Sequence, residues 1–273
     1  MDFLELLRVI FLSIVQGVTE WLPVSSSGHM ILIEEFLDFS HSEAFWSVFL
    51  VVIQLASVMA VVTTFFKQLN PFKLKGGLQA DIDKIQLWLK IGIACLPAAI
   101  IGLYFDDFLE THLNSPMIIA ITLILYGIIF IIVENVNKNR TPRIKNLAQM
   151  TYRLAFLIGI FQMLALIPGT SRSGATIVGG LIFGMSRKTA AEFTFFLAIP
   201  AMFGASLLRI IRIGTDFTNA EWITMIVGCV TAFVVSIVTI KFLLGFIKRN
   251  SFKPFAYYRI ALGMIVFAYF FFT

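Results

Sequence analysis

From Pro116 to Val133 the chain reads PMIIAITLILYGIIFIIV, without one charged side chain. At about 1.5 Å per residue, a helix of that length nearly crosses the roughly 30 Å hydrocarbon core of a bilayer. The feature repeats, with apolar runs at about 45–66, 87–105, 189–211, 220–247 and 255–272. Of 273 residues, 59% are apolar and 14% charged, where a soluble domain would have about a quarter charged. The alternating pattern of an outer-membrane barrel is absent.

Two apolar stretches are interrupted. Residues 3–19 and 22–39 are separated by a polar join within QGVTEWLPVSSSGH (Gln16 to His29), and 152–167 and 173–185 by PGTSRSG (Pro168 to Gly174). Two full spans would leave SSSGH in an ordinary loop. A re-entrant hairpin would set it at membrane depth, which is allowed where protein or a cavity covers the backbone. The recurrence favours the hairpin. The expected fold class is an all-α polytopic membrane protein with six transmembrane helices plus two re-entrant helix-loop-helix hairpins.

The net charge of +5 sits mostly in short loops, which fits the positive-inside rule better than a nucleic-acid partner. Basic loops 67–90 (Lys67, Lys73, Lys75, Lys84 and Lys90 against Asp81 and Asp83), 135–151 and 248–254 are expected inside. Loop 106–115 with Asp106, Asp107 and Glu110, loop 212–221, the segment Glu34 to Glu43 and both termini are expected outside. Met1 to Leu7 has no basic region of a cleavable signal. Leu6 to Pro23 sets against Thr151 to Pro168 at a constant offset, and one inserted residue, Gly169, then aligns SSSG with SRSG. A single membrane domain, 1–273, is therefore expected to hold repeat one (about 1–135) and repeat two (about 150–273). Three full spans per half, an odd number, make this an inverted-topology repeat, which puts a site at the interface near mid-membrane.

Glu20 is expensive in an apolar segment and is expected to line a polar cavity. Gln16, one turn earlier, shares its face, and together they can hold a divalent cation or orient a water. Ser25, Ser26 and Ser27 precede a helix, where one serine is an ordinary cap; three exceed what a cap needs, and free N–H groups there suit an anion. His29 follows Ser26 by three residues, so base and hydroxyl are expected within reach, and the sequence leaves Ser26, His29 itself or a water positioned by them as the nucleophile, with His29 also open as general acid. Arg172, flanked by Thr170, Ser171, Ser173 and Gly174, reads as a phosphate cradle or as a structural partner of Glu20. His41 and His112 read as solvated loop residues, Trp46, Trp88 and Trp222 as interface anchors, Lys241 as snorkelling, and Arg209 and Arg212 as near lipid phosphate. Cys95 and Cys229 read as small core residues.

QGVTEWLPVSSSGHM and LALIPGTSRSGATIVGG, with SFKPFAYYR near the end, resemble the signature motifs of the bacterial undecaprenyl-diphosphatase, or bacitracin-resistance, family. The resemblance covers essentially the whole chain. It implies hydrolysis of undecaprenyl diphosphate at the outer face of the bacterial cytoplasmic membrane, with a divalent cation (Ca or Mg) near Glu20 and Gln16. It implies Glu20 as the acid, Ser26 as nucleophile, His29 as an essential histidine, and Ser27, Ser171 and Arg172 at the phosphate. Gln16 stands where many members have a second glutamate, so the metal loses one charge. Expected partners are a polyprenyl diphosphate lipid and membrane lipids, with a homodimer left open. The rival class is a transporter of polyprenyl phosphate, since inverted repeats and broken helices also build transporters.

Overall fold

The computed structural model describes residues 3–37, 42–73, 79–113 and 115–272. Asp38, His41 and Lys75 lie outside the described residues. The chain forms α1 (Phe3–Thr19), α2 (Ser26–Phe36), α3 (Glu43–Thr64), α4 (Phe66–Leu69), α5 (Ile82–Leu113), α6 (Pro116–Asn137), α7 (Tyr152–Met163), α8 (Arg172–Ile182), α9 (Arg187–Ile213), α10 (Asn219–Phe246) and α11 (Lys253–Phe272). A hairpin of two-residue strands, Phe72–Lys73 and Gln79–Ala80, links α4 to α5.

Among the described residues six helices (α3, α5, α6, α9, α10 and α11) are long and apolar enough to cross a membrane. The starts of four of these and of α7 are written in the sequence. Ser42, Ser115 and Ser186, and Thr151 ahead of α7, each accept a hydrogen bond from the N–H three residues on, and Thr218 with Glu221 closes a capping box on α10. Along α10, Ile223, Ile226, Val230, Val234 and Val238 are all more than half exposed, an apolar stripe at helical spacing that suits hydrocarbon rather than water. By contrast α2 and α8, 11 residues each, reach only about 16 Å.

Two expected loops are shorter than anticipated. The acidic segment 106–115 is mostly helix, because α5 continues to Leu113. Charge ends an apolar run without ending a helix, and 106–113 holds no glycine or proline; the helix stops just ahead of Pro116. Likewise 67–90 is not one loop: α4 covers its start, and Lys84 and Lys90 are already in α5. Lys84 Nζ donates to Asn70 O at 3.0 Å and pairs with Asp81 at 3.6 Å. The basic linker 138–151 is tied down as well, since Arg143 N and Ile144 N donate to Gly184 O, and Ser186 N donates to Ile144 O.

Helix packing is paired across the halves. α1 packs on α10 and α7 on α5; α3 packs on α10 and α9 on α5; α3 meets α9, and α6 meets α11. Small details match too. Cys95 Sγ lies 4.0 Å from Leu197 O, and Cys229 Sγ 4.0 Å from Val52 O; both cysteines are free. At the α6–α11 crossing, a Cβ on Gly127 would stand 2.9 Å from Ala256 O and one on Gly263 2.8 Å from Ala120 O. These two glycines let the backbones touch, as small residues do between membrane helices.

Candidate active site

Both broken segments turn in the same way. Ser25 (φ 73°) and Ser171 (φ 72°) have left-handed backbones, which cost a non-glycine residue about 1–2 kcal/mol each. In each the side chain caps the next helix: Ser25 Oγ accepts from Gly28 N at 3.3 Å, and Ser171 Oγ from Gly174 N at 3.1 Å. The kink presents the first residue of each new helix, Ser26 and Arg172, to the Glu20 carboxylate. Gly169 (φ 84°) makes the second turn tight, for a Cβ there would lie 2.1 Å from Thr122 Oγ1.

Glu20 joins the halves. Its Oε1 accepts from Arg172 NH2 at 2.9 Å, and its Oε2 from Ser26 Oγ at 2.9 Å and Gln16 Nε2 at 3.0 Å. The acid is buried and the Arg172 side chain only 9% exposed, so this pair lies in low dielectric and lacks the screening that weakens surface pairs. Arg172 NH1 also donates to Thr194 O at 3.1 Å, and Thr194 Oγ1 meets Thr176 Oγ1 at 2.8 Å. Trp21, fully buried, packs edge-on against Phe195, which fixes the backbone beside both charges.

The other expected residues separate into groups. Ser25 and Ser171 serve as caps, and Ser173 Oγ donates to Leu22 O at 3.2 Å, stitching α8 to the first break. Ser27 is exposed and meets Ser25 Oγ at 3.4 Å. Thr170 Oγ1 is buried without a hydrogen-bond partner. His29 is not bonded to Ser26 in this structure: its Nδ1 faces Ser25 O and its Nε2 faces Tyr258 OH, each at 2.7 Å, with the Tyr258 ring stacked on it. An Nδ1–H bonded to the carbonyl leaves Nε2 to accept from the tyrosine.

Sequence reading passed over Arg259. It is fully buried in α11 and donates to Pro23 O at 3.3 Å, Gly169 O at 3.0 Å and Thr170 O at 2.9 Å, under the Tyr126 ring. One guanidinium thus holds the backbone of both breaks. The available signal was an arginine early in an apolar span, which is costly without a partner.

Two cavities flank the cluster. One, about 850 Å³, runs between α1, α2 and α11 from Leu7 and Phe270 to Thr19, His29 and Tyr258, and is almost wholly apolar. The other, about 630 Å³, lies between α3, α5, α7 and α9 and includes Gln162 and Arg172. Among the described residues no three His, Cys, Asp or Glu side chains gather as an all-protein metal site. Yet Gln16 Oε1 is buried and unpartnered one turn from the Glu20 carboxylate. Oxygen donors of that kind fit Mg²⁺ or Ca²⁺ when phosphate oxygens complete the shell, because Mg²⁺ often takes one or two carboxylates plus substrate phosphates.

Fold and site together define a polytopic membrane enzyme with a buried acid, hydroxyl and guanidinium gathered from two broken helices. Residues 9–265 match the family model of the bacitracin resistance protein BacA, and the chain belongs to that family. It is 53% identical over 268 residues to an undecaprenyl-diphosphatase of Enterococcus faecalis, covering 97% of both chains. It is 56% identical over 270 residues to that of Lachnoclostridium phytofermentans (99% of this chain, 98% of the relative). Against undecaprenyl-diphosphatase 1 of Clostridioides difficile the identity is 52% over 270 residues (99% and 98%).

Proposed function

We propose that this protein hydrolyses undecaprenyl diphosphate to undecaprenyl phosphate and inorganic phosphate, recycling the cell-wall lipid carrier and conferring bacitracin resistance. The observation that carries the reading is the Glu20 carboxylate, shared between Arg172 of one broken segment and Ser26 of the other.

The paired packing, the twin left-handed serines and the matched cysteine contacts support an inverted repeat with two re-entrant hairpins meeting at mid-membrane. With basic loops inside, both cavities open toward the outer leaflet. The apolar groove beside His29 suits a prenyl chain, and Arg172 suits the terminal phosphate.

Before substrate binds, Glu20 neutralises Arg172. An arriving phosphate takes the guanidinium, which then binds equatorial oxygens and stabilises the transition state. Glu20 is released to accept the Ser26 proton through the oxygen that already faces it. Ser26 Oγ attacks the terminal phosphorus in line, the bond to the bridging oxygen breaks, and undecaprenyl phosphate leaves as an anion. Glu20 then returns that proton to Ser26 Oγ as water attacks the serine phosphate, which breaks the Oγ–phosphorus bond, restores the hydroxyl and frees dihydrogen phosphate. A divalent cation held by Glu20 and Gln16 Oε1 would supply further charge neutralisation on the diphosphate. His29 and Tyr258 fix the backbone of Ser25, one residue before the nucleophile.

The test is metal-dependent phosphate release from a C15 or C55 prenyl diphosphate by purified protein and by Glu20→Ala, Ser26→Ala, His29→Ala and Arg172→Ala. Near-normal turnover in Arg172→Ala overturns the cradle, and phospho-enzyme mapped away from Ser26 overturns its role. A polyprenyl-phosphate transporter is the second reading, favoured by the paired packing. Hydrolysis in detergent, where there are no two sides, separates the two.

A further inference from the structure

Among the described residues that line the groove of about 850 Å³ between α1, α2 and α11, polar side chains stand only at its two ends. Arg8 and Tyr269 mark the outer end, and Thr19, His29 and Tyr258 the inner one. Arg8 to Thr19 and Tyr258 to Tyr269 each cover about 16 Å of helix. The wall between them is apolar, with Phe11, Ile14, Val18, Leu262 and Ile265. The inner end borders the reacting cluster, since Thr19 directly precedes Glu20 and His29 lies one turn after Ser26. Thr19 Oγ1 is spent on its own helix, donating to Val15 O at 2.7 Å. Tyr258 OH is not: it crosses from α11 to meet His29 Nε2 at 2.7 Å, while the residue remains half-exposed. A tyrosine that only anchors a helix turns its hydroxyl to the headgroups, and this one turns it inward. Nor does the Ser25 carbonyl require it, because His29 Nδ1 makes that bond by itself. Its place is fixed by the next residue, Arg259, which grips Pro23 O, Gly169 O and Thr170 O.

We propose that Tyr258 is a substrate-binding residue whose hydroxyl takes the lipid-side phosphate of a prenyl diphosphate, a subsite distinct from the one at Arg172. The inference rests on the hydrolase reading above. With the terminal phosphate on Arg172 and the prenyl chain in the groove, the lipid-side phosphate falls at the junction of the two. There Tyr258 carries the one hydroxyl, among the described groove-lining residues, that is not committed to its own helix. A phenol offers one donor and two acceptor positions. While Nδ1–H is on Ser25 O and the ring is neutral, Nε2 accepts the phenol proton. Once Nε2 carries a proton of its own, the imidazolium donates to the phenol oxygen, and the O–H turns to a phosphate oxygen in a charge-assisted bond. An arriving anion favours that form by its charge. A prenyl chain without a phosphate gains nothing from it.

The experiment uses the full chain in detergent with Tyr258→Phe, which removes one hydroxyl and keeps the ring. Tyr257→Phe is the control, at an exposed neighbour that does not line the groove. KM is read for a C15 prenyl diphosphate, and inhibition constants for a C15 prenyl monophosphate, the C15 prenyl alcohol and inorganic phosphate. Thermal protection by the same three inhibitors is read without turnover. In Tyr258→Phe, KM and the monophosphate constant should rise about tenfold, the loss of one charge-assisted hydrogen bond, while the constants for inorganic phosphate and the alcohol stay within about twofold. None of these constants depends on how much of the protein is active. A monophosphate constant that does not move would overturn the subsite, whatever happens to kcat. An equal rise for inorganic phosphate, which marks a general disturbance of the cluster, would do the same. So would an equal rise for the alcohol, which marks packing of the ring on the chain, or a Tyr257→Phe variant that behaves like Tyr258→Phe. Monophosphate protection present in the wild type and lost in Tyr258→Phe, in a protein that releases no phosphate from the diphosphate, would leave the subsite standing and overturn the hydrolase instead.

Discussion

Replacing Arg259 by methionine keeps the length and apolar bulk of the side chain and removes its five donors. Three backbone carbonyls, Pro23 O, Gly169 O and Thr170 O, lose their charged partner inside a site where Arg259 is 0% exposed. Each such bond is worth about 1.5–3 kcal/mol, and a buried acceptor left unpaired costs about 1–3 kcal/mol. Against this, the variant no longer desolvates a buried cation, so the contributions do not sum; about 2–5 kcal/mol is the expected net loss. For a chain of this size each kcal/mol moves the midpoint by about 2–4 °C, so thermal unfolding in detergent should fall by about 10 °C.

Activity should fall further than stability suggests. The bonds run to both breaks at once, so losing them frees the Ser26 turn to drift from the Arg172 turn, and misplacement by about 1 Å costs about a hundredfold in rate. The expected result is kcat down about a hundredfold with KM changed much less, read by phosphate release below the unfolding midpoint. Arg259→Lys should be intermediate, because one ammonium cannot span carbonyls on two loops. Tyr126→Phe, which keeps the ring under the guanidinium, should be near wild type. Wild-type kcat and an unshifted midpoint in Arg259→Met would refute the seam.

Three further outcomes are expected. Glu134→Gln breaks a bidentate pair with the partly exposed Arg187, in which Glu134 also accepts from Phe252 N at 2.9 Å, so α6, α9 and the start of α11 lose a common anchor; stability should drop by about 1–3 kcal/mol with KM unchanged, by thermal unfolding and steady-state kinetics. Gly263→Leu places side-chain atoms against Ala120 O and Ile124 and should cost at least about 1–3 kcal/mol or abolish folding, whereas Gly245→Leu, at a glycine with open space around it, should be tolerated. Gln16→Glu should lower the Ca²⁺ or Mg²⁺ concentration for half-maximal activity about tenfold, by adding a carboxylate to the donor set, checked by metal titration after chelation.

The spans and the two breaks were legible because a bilayer leaves few options: an apolar run is a span, and a Pro-Ser-Gly break in it stands out. The facing of Gln16 and Glu20 was legible from helical spacing, and the structure bonds them. The end of α5 was not legible, since charge at 106–110 marks the limit of hydrocarbon and not of the helix. Nor was the division of labour among the hydroxyls. Whether a serine caps its own helix depends on the backbone at the turn, and with left-handed turns at Ser25 and Ser171 both side chains accept from the helix N–H three residues on. The roles of Arg259 and Tyr258 were hidden because their partners are carbonyls and a histidine far away in sequence; an arginine in an apolar span announces that it has a partner and not which one.

The Glu20–Arg172 bond first read as a choice between a structural ion pair and a phosphate cradle. Under the proposed reaction it is both, in sequence. A lone arginine buried among apolar helices would be costly, so before substrate binds the carboxylate serves as a stand-in anion. A phosphate group offers more oxygens and more charge than a carboxylate, so it can displace the stand-in, and the displaced carboxylate is then beside the Ser26 hydroxyl it must deprotonate. On that proposal the same exchange would make the site selective: an uncharged lipid headgroup would not compete for Arg172, and Glu20 would stay occupied.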